Sequence, residues 1–221
     1  MSQDIGWKFP IDDADQWEGF NNASIEHFRG NPFGSLAREI IQNSLDAASG
    51  IPVSVAFELE EIAADQIPAL EQLKDALQRA AKAEANESRK AKDFFATAQK
   101  LLRAKSIQVL SIKESNTIGI RGPCKNGTPY LKATGLSKKE MHDEDTGLGS
   151  YGIGKFAPFA VSQLRTVFVS TVYREEKSHR QLTQGKALLT SFVDARGKTH
   201  QGTGYRGVRK NCMPLKDHNL I

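Results

Sequence analysis

Residues 35 to 50, "SLAREIIQNSLDAASG", sort their side chains onto two sides of a helix, and that sorting limits what the chain can build. Ile40, Ile41, Leu45 and Ala48 take one side, suited to packing on a sheet. Glu39, Asn43 and Asp46, spaced i, i+4 and i+7, fall within a sector of roughly 80° on another. Ser35 offers an N-cap and Gly50 a left-handed stop, so the helix is expected between them. A helix with one wet face has the same spacing. A wet face, however, usually mixes in Lys and Arg, and this line offers only a carboxylate, an amide and another carboxylate.

The neighbouring segments supply the sheet. "IPVSVAFELEEI" alternates Val53, Val55 and Phe57, and "SIQVLSIKES" returns to strand composition. Between them, residues 61 to 105 are rich in Ala, Leu, Lys and Glu without glycine, which predicts a helical insertion, a hairpin with a break near Asn86. "LRTVFVSTVY" and "KALLTSFVDA" are expected to pair as a hairpin across the charged "REEKSHRQLTQG". Residues 1 to 34 read as an irregular arm with one short helix near Ser24 to Arg29. The tail, "GKTHQGTGYRGVRKNCMPLKDHNLI", is poorly periodic and does not finish like a domain, so the chain is expected to continue beyond residue 221. The order of elements predicts an α/β two-layer sandwich, a mixed sheet with helices packed on one face, rather than a doubly wound parallel fold.

Bulk properties exclude several classes. The net charge of +4 permits contact with nucleic acid without arguing for it. Cys124 and Cys212 are too few for a disulfide framework and lack metal-ligand spacing, so a reducing cytoplasm is the expectation. No apolar run approaches membrane-spanning length, and the N-terminus lacks the basic region and apolar core of a signal peptide.

Two further stretches bear on chemistry. "GLGSYGIGKFA" places Gly149, Gly152 and Gly154 just before Lys155 at a helix start. Glycines let backbone approach a ligand, amides ahead of a helix bind anions, and the lysine adds positive charge. The stretch is neither a P-loop nor a dinucleotide fingerprint, and a flexible hinge would look the same. "IKESNTIGI" ends a strand in Glu114, followed by Asn116 and Gly119. An acid at a strand end can accept a hydrogen bond from an exocyclic amine, and a glycine lets a flat base lie on the backbone. A polar turn leaving a strand is the plain alternative.

Taken in order, "E-x-x-x-N-x-x-D-A", an acid-to-glycine turn after a strand, and "G-x-x-G-x-G-K" resemble the signatures of the GHKL (Bergerat-fold) ATPases, the superfamily of gyrase B, the ninety-kilodalton heat-shock chaperones, MutL and sensor histidine kinases. The resemblance runs from about residue 35 to 171 and treats 61 to 105 as an insertion into an ATP-binding domain of residues 35 to 221. It implies that Glu39 is the general base toward water and that Asn43 is the Mg²⁺ ligand. Asp46 becomes the acid near the base pocket or bound waters. Gly149, Ser150, Tyr151, Gly152, Ile153, Gly154 and Lys155 form the phosphate loop, and residues 121 to 148 form a lid over ATP. In the adenine turn, Glu114 takes the place of the usual Asp, with Asn116 and Gly119 following; a second register would put Ser115 there. Tyr151 and Phe156 stand near the nucleotide or pack under the sheet. "GTGY" at 202 to 205 is a weak match to the last motif. "E-S-N-T-I-G-I" and "GSYGIGKFAPF" are similar to a bacterial branch, which points to DNA transactions or defence. The implied activity is slow, Mg²⁺-dependent ATP hydrolysis. Nucleotide state would drive homodimerisation or an effector beyond residue 221 or in another protein, with no membrane role. Glu39, which the kinases usually lack, favours hydrolysis over phosphotransfer. A nucleotide-gated interaction module, with 61 to 105 as its docking surface, is the alternative.

Overall fold

In the computed structural model, residues 3–14, 16–85, 88–125, 128–134 and 153–217 are described. Extended segments from both ends of the chain meet first. β1 (Ile5–Lys8) pairs antiparallel with β8 (Thr203–Val208), which pairs with β5 (Ser178–Leu188), which pairs with β4 (Thr166–Glu175). The short β9 (Leu215–Lys216) adds to β5 beside β8. The arm and the tail are therefore both parts of the sheet, and β8, in the poorly periodic tail, lies inside it. β8 escapes a periodicity reading because its inward positions include glycine: a β-carbon on Gly204 would fall 2.4 Å from the Phe9 ring.

β4 and β5 form the expected hairpin with a different turn. The reversal is Glu176 and Lys177, with Glu176 at φ 53°, and Glu175 stands opposite Ser178. The charged "REEKSHRQ" is thus the end of a long ribbon rather than its loop, and β5 stops at Leu188. β6 (Phe192–Val193) and β7 (Thr199–His200) make a separate two-stranded piece. β2 (Ser54–Ala63) and β3 (Ser106–Ser115) pair over their full lengths as another. Every ladder among the described residues is antiparallel. The expected mixed sheet is corrected accordingly: β3 and β4, the strands whose order would allow parallel pairing, share no ladder there.

The helices lie on two faces, not one. Strand alternation sends Leu188 and Ala187 of β5 to opposite sides. Leu188 packs with Ile25 of α1 (Ala23–Glu26) and Phe159 of α6 (Ala157–Val161). Ala187 joins the core under α3 (Leu70–Ala83) and α4 (Arg89–Leu102). The insertion is a helical hairpin whose buried residues repeat at helical spacing: Leu70, Leu73, Ala76, Leu77 and Ala80, against Ala91, Phe95, Ala98 and Leu102. Alanines let the two helices approach, and Trp7, Phe9 and Phe20 from the arm fill the remaining space. Gln72 accepts the Trp7 backbone N–H at 2.7 Å. This placement removes the apolar face of 61–105 from solvent.

One polar network pins the arm. Buried Glu84 accepts the Phe20 N–H at 3.1 Å and the Thr190 hydroxyl at 2.6 Å. Arg165 donates to the Phe20 carbonyl at 2.8 Å and lies 3.9 Å from that ring's centroid. Burial pushes the Arg165 pKa down to about 10. Among the described residues, no helix is long and apolar enough to cross a membrane.

Candidate functional site

α2 (Pro32–Asp46) starts earlier than Ser35. Pro32 suits the first helical turn, and the Asn31 side chain accepts the Gly34 N–H at 3.1 Å. Asn31 is therefore the cap, and Gly50, whose φ is not positive, does not close the helix; Ala47 ends it. The inward side of α2, with Leu36 and Ile40, packs on Leu110 and Ile112 of β3 and on Ala157 of α6. Glu39 is half-buried beside this core, and Asn43 and Asp46 are exposed on the same flank.

The turn after β3 is fastened to the end of α2. Ile118 N–H donates to the Ala47 carbonyl at 2.8 Å, Ser49 N–H donates to the Asn116 carbonyl at 2.8 Å, and Ala48 and Thr117 form a bridge. Asn116 sits at φ 60°, and its amide donates to the Pro52 carbonyl at 2.7 Å, so this side chain shapes the turn. Glu114 follows Leu110 and Ile112 on the α2 side of β3, while Ser115 takes the opposite side. Gly119 has φ 67°, and a β-carbon there would lie 2.2 Å from the Val172 carbonyl oxygen. The next residue, Ile120, donates its N–H to Thr171 Oγ1 at 2.8 Å. Glycine is thus required where the chain crosses onto β4.

Opposite α2, Gly154–Phe156 form a single 3-10 turn leading into α6. Gly154 is buried against Glu39: a β-carbon on residue 154 would fall 1.9 Å from Glu39 Oε2. Ile153 joins the α2 core, and Phe156 packs with Phe159, so Phe156 belongs to the interior. Lys155 is half-buried, its ammonium 5.8 Å from the Phe156 centroid. Gly149, Ser150, Tyr151 and Gly152 of the expected phosphate loop, and residues 135–148 of the expected lid, lie outside the described residues. The first part of that lid is folded: α5 (Pro129–Thr134) is anchored by buried Tyr130, whose N–H donates to the Arg121 carbonyl at 2.9 Å.

Glu39, Asn43, Asp46, Glu114, Asn116, Gly119, Ile153, Gly154 and Lys155 all border one broad cleft of about 3770 Å³. That exceeds the ~300–1,000 Å³ of a closed small-molecule pocket. The excess arises because the cleft continues between β3 and β4, where no ladder closes it. Thr203 of "GTGY" lies elsewhere, its hydroxyl donating to Glu18 at 3.3 Å.

Two cleft residues carry no motif. Lys186 and Gln184 of β5 point to the same side as Leu188, and both are buried. Lys186 donates to the Thr134 carbonyl at the end of α5 at 2.8 Å and lies 5.8 and 5.9 Å from the Phe159 and Tyr205 rings. Gln184 donates to the Cys212 carbonyl at 2.7 Å, while its Oε1 has no partner among the described residues. The only sequence signal was a polar residue at two inward strand positions, meaningful once the inward face is known.

Among the described residues, no three His, Cys, Asp or Glu side chains are grouped to hold a metal by themselves. Mg²⁺ asks for less when it arrives with phosphates, since it retains waters and takes one or two protein oxygens. Asn43 supplies such an oxygen on the flank that carries Glu39 and Asp46. Comparison with protein-family models, with curated proteins and with solved structures finds no match for this chain.

Proposed function

We propose that this chain binds Mg·ATP in the cleft between α2 and the Gly154 turn and hydrolyses it slowly, with its nucleotide state controlling association or a partner. The observation that carries the reading is the apposition of Glu39 and Gly154 in the cleft that also holds Asn43, Asp46 and Glu114. It joins the two motifs, over a hundred residues apart in sequence, on which the resemblance to GHKL ATPases rests.

The residues fit the groups this function needs. Asn43 would hold Mg²⁺ through its amide oxygen, and the ion, when bound, neutralises phosphate charge. The Gly154 backbone leaves room that a side chain would fill, and Lys155 and Lys186 bring positive charge to the same cleft. Glu39, beside that backbone, is placed to take a proton from water. Glu114, rather than Ser115, is the acid for an exocyclic amine, because alternation turns it toward α2.

Calorimetric titration with ATP, with and without Mg²⁺, tests binding, and steady-state phosphate release tests turnover. Glu39→Ala is expected to keep ATP binding and to lose turnover by about 10²-fold or more. Absence of ATP binding by the wild-type chain overturns the proposal. Binding without wild-type turnover restricts it to a nucleotide-gated module. A role in bacterial DNA transactions or defence extends the same reading and rests on the resemblance alone.

A further inference from the structure

We propose that the cavity between α1, α4 and α6 is a second ligand site, for an organic phosphate monoester with a flat, apolar body. The cavity measures about 610 Å³, within the ~300–1,000 Å³ of small-molecule sites. α6 stands between it and the α2 cleft, and Phe159 and Val161 border both. Its apolar lining is rich in rings, with Phe20, Phe94 and Phe159 beside Ile25 and Ala160. Its charged lining is unbalanced: four cations, Arg29, Arg89, Lys90 and Arg165, stand against two acids, Glu26 and Asp93.

Arg165 is the fixed cation of the site. Its side chain is 6% exposed and lies over the Phe20 ring, 3.9 Å from the centroid, with the Phe94 centroid at 5.1 Å. Nη1 donates to the Phe20 carbonyl, whereas Nη2 lies 3.9 Å from Glu26 Oε1, beyond hydrogen-bond reach. Burial outweighs the two neighbouring acids, Glu26 and Glu84, and holds the Arg165 pKa down to about 10. Glu84 is itself engaged by the Phe20 N–H and the Thr190 hydroxyl. The guanidinium is therefore stacked and oriented, but its charge is under-compensated.

The remaining charges set the chemistry of the ligand. The single carboxylate of Glu26 is paired with Lys90, lies 3.5 Å from Arg29 and also serves Arg165. Asp93 answers Arg89 loosely, at 4.0 Å, with both side chains largely exposed. Two positive charges are left over, and a phosphate monoester carries nearly two negative ones at neutral pH. The planar fork of arginine also suits phosphate oxygens. A carboxylate would leave one charge unmatched. The rings select against a bare ion, because they reward only a ligand with an apolar body to stack on them.

Calorimetric titration of the full chain with phenyl phosphate tests the site, with inorganic phosphate and phenol as the two halves of that probe. Phenyl phosphate is expected to bind, and each half to bind at least about tenfold more weakly. Arg29→Glu and Arg89→Glu change exposed side chains, so the unfolding midpoint should be retained while binding weakens by about tenfold each. Asp93→Asn removes an acid and is expected to strengthen binding about two- to threefold, a gain that partial unfolding does not mimic. Absence of phenyl phosphate binding, equal binding of inorganic phosphate, or binding indifferent to Arg29→Glu and Arg89→Glu would each overturn the proposal. So would displacement of phenyl phosphate by Mg·ATP, which would put the probe in the α2 cleft.

Discussion

The carboxylate of Glu39 occupies the space that a side chain on residue 154 would need: a β-carbon built on Gly154 lies 1.9 Å from Glu39 Oε2 and 2.7 Å from its Cδ. The contact joins α2 to the turn before α6, and a side chain at 154 would have to push the Glu39 carboxylate, the end of a flexible side chain, out of its place. Gly154→Ala is expected to cost no more than about 1 kcal/mol of stability, because the Glu39 carboxylate can swing aside, and to move that carboxylate away from the turn. In a Glu39→Ala background most of that cost should vanish, because the clashing group is gone. Urea unfolding of the four proteins measures the coupling; additive effects would mean the two residues do not touch.

Asn43 is the proposed amide ligand to Mg²⁺, so its effect on nucleotide binding should depend on the ion. Asn43→Ala is expected to weaken ATP binding on the order of tenfold, or ~1.4 kcal/mol, with Mg²⁺ present. In excess chelator the variant and the wild-type chain should bind alike. Calorimetry in both buffers decides, and an equal loss in both would remove Asn43 from the metal's surroundings.

At Gly119 two constraints coincide, a φ of 67° and the Val172 carbonyl 2.2 Å from any added β-carbon. Gly119→Ala should lower stability by about 1–3 kcal/mol. Gly30, with open space where its β-carbon would go, is the control, and Gly30→Ala should change little. Thermal unfolding of the pair provides the comparison.

Glu84 accepts both the Phe20 N–H and the Thr190 hydroxyl in a buried position. Glu84→Ala strands the buried Phe20 N–H, while the Thr190 hydroxyl keeps the Glu18 carbonyl at 2.8 Å, and should cost about 1–3 kcal/mol. Glu84→Gln retains an acceptor oxygen and should cost less. Equal losses in chemical denaturation would show that volume, not hydrogen bonding, is what the position needs.

Asp194 accepts backbone N–H groups from Lys198 and Arg196 and lies 3.2 Å from His200 Nε2. The Lys198 amide first, then the His200 ring, hold its carboxyl down to about 2, below the ordinary 3.8. A carboxyl with a depressed folded pKa contributes stability that is full above 3.8 and is lost as pH falls through about 2. The difference in melting temperature between wild type and Asp194→Asn should therefore be flat above pH 3.8 and shrink between 3.8 and about 2. A difference independent of pH across that window would contradict this.

Much of the local structure was legible beforehand. The helical hairpin declared itself through apolar residues at helical spacing, and β2 and β3 through β-branched and aromatic composition. Those signals are local, because each element must turn one apolar side inward whatever its partner. Other features were hidden for reasons that can be named. Asn31 caps α2 from four residues before Ser35, since Pro32 tolerates the first turn. β8 reads as loop because Gly204 must leave room for Phe9. The charged end of the β4–β5 ribbon looked like a connection because an exposed two-stranded extension needs no apolar residues. Lys186 and Gln184 stayed invisible, as nothing local tells which side of β5 faces inward.

The order of residues alone determined that α2 would carry Glu39, Asn43 and Asp46 on one flank, for helix geometry sets which side chains share a face. It also determined that a helical hairpin would fall within 61–105, where the structure gives it to Leu70–Ala83 and Arg89–Leu102. Which face of the sheet that hairpin covers was decided only when Trp7, Phe9 and Ala187 offered it an apolar surface. Likewise, only the docking of residues 116–118 on the end of α2, and of Gly154 on Glu39, brought the scattered polar residues to a single cleft. Such long-range contacts depend on shape and packing between distant segments, and spacing along the chain does not encode them.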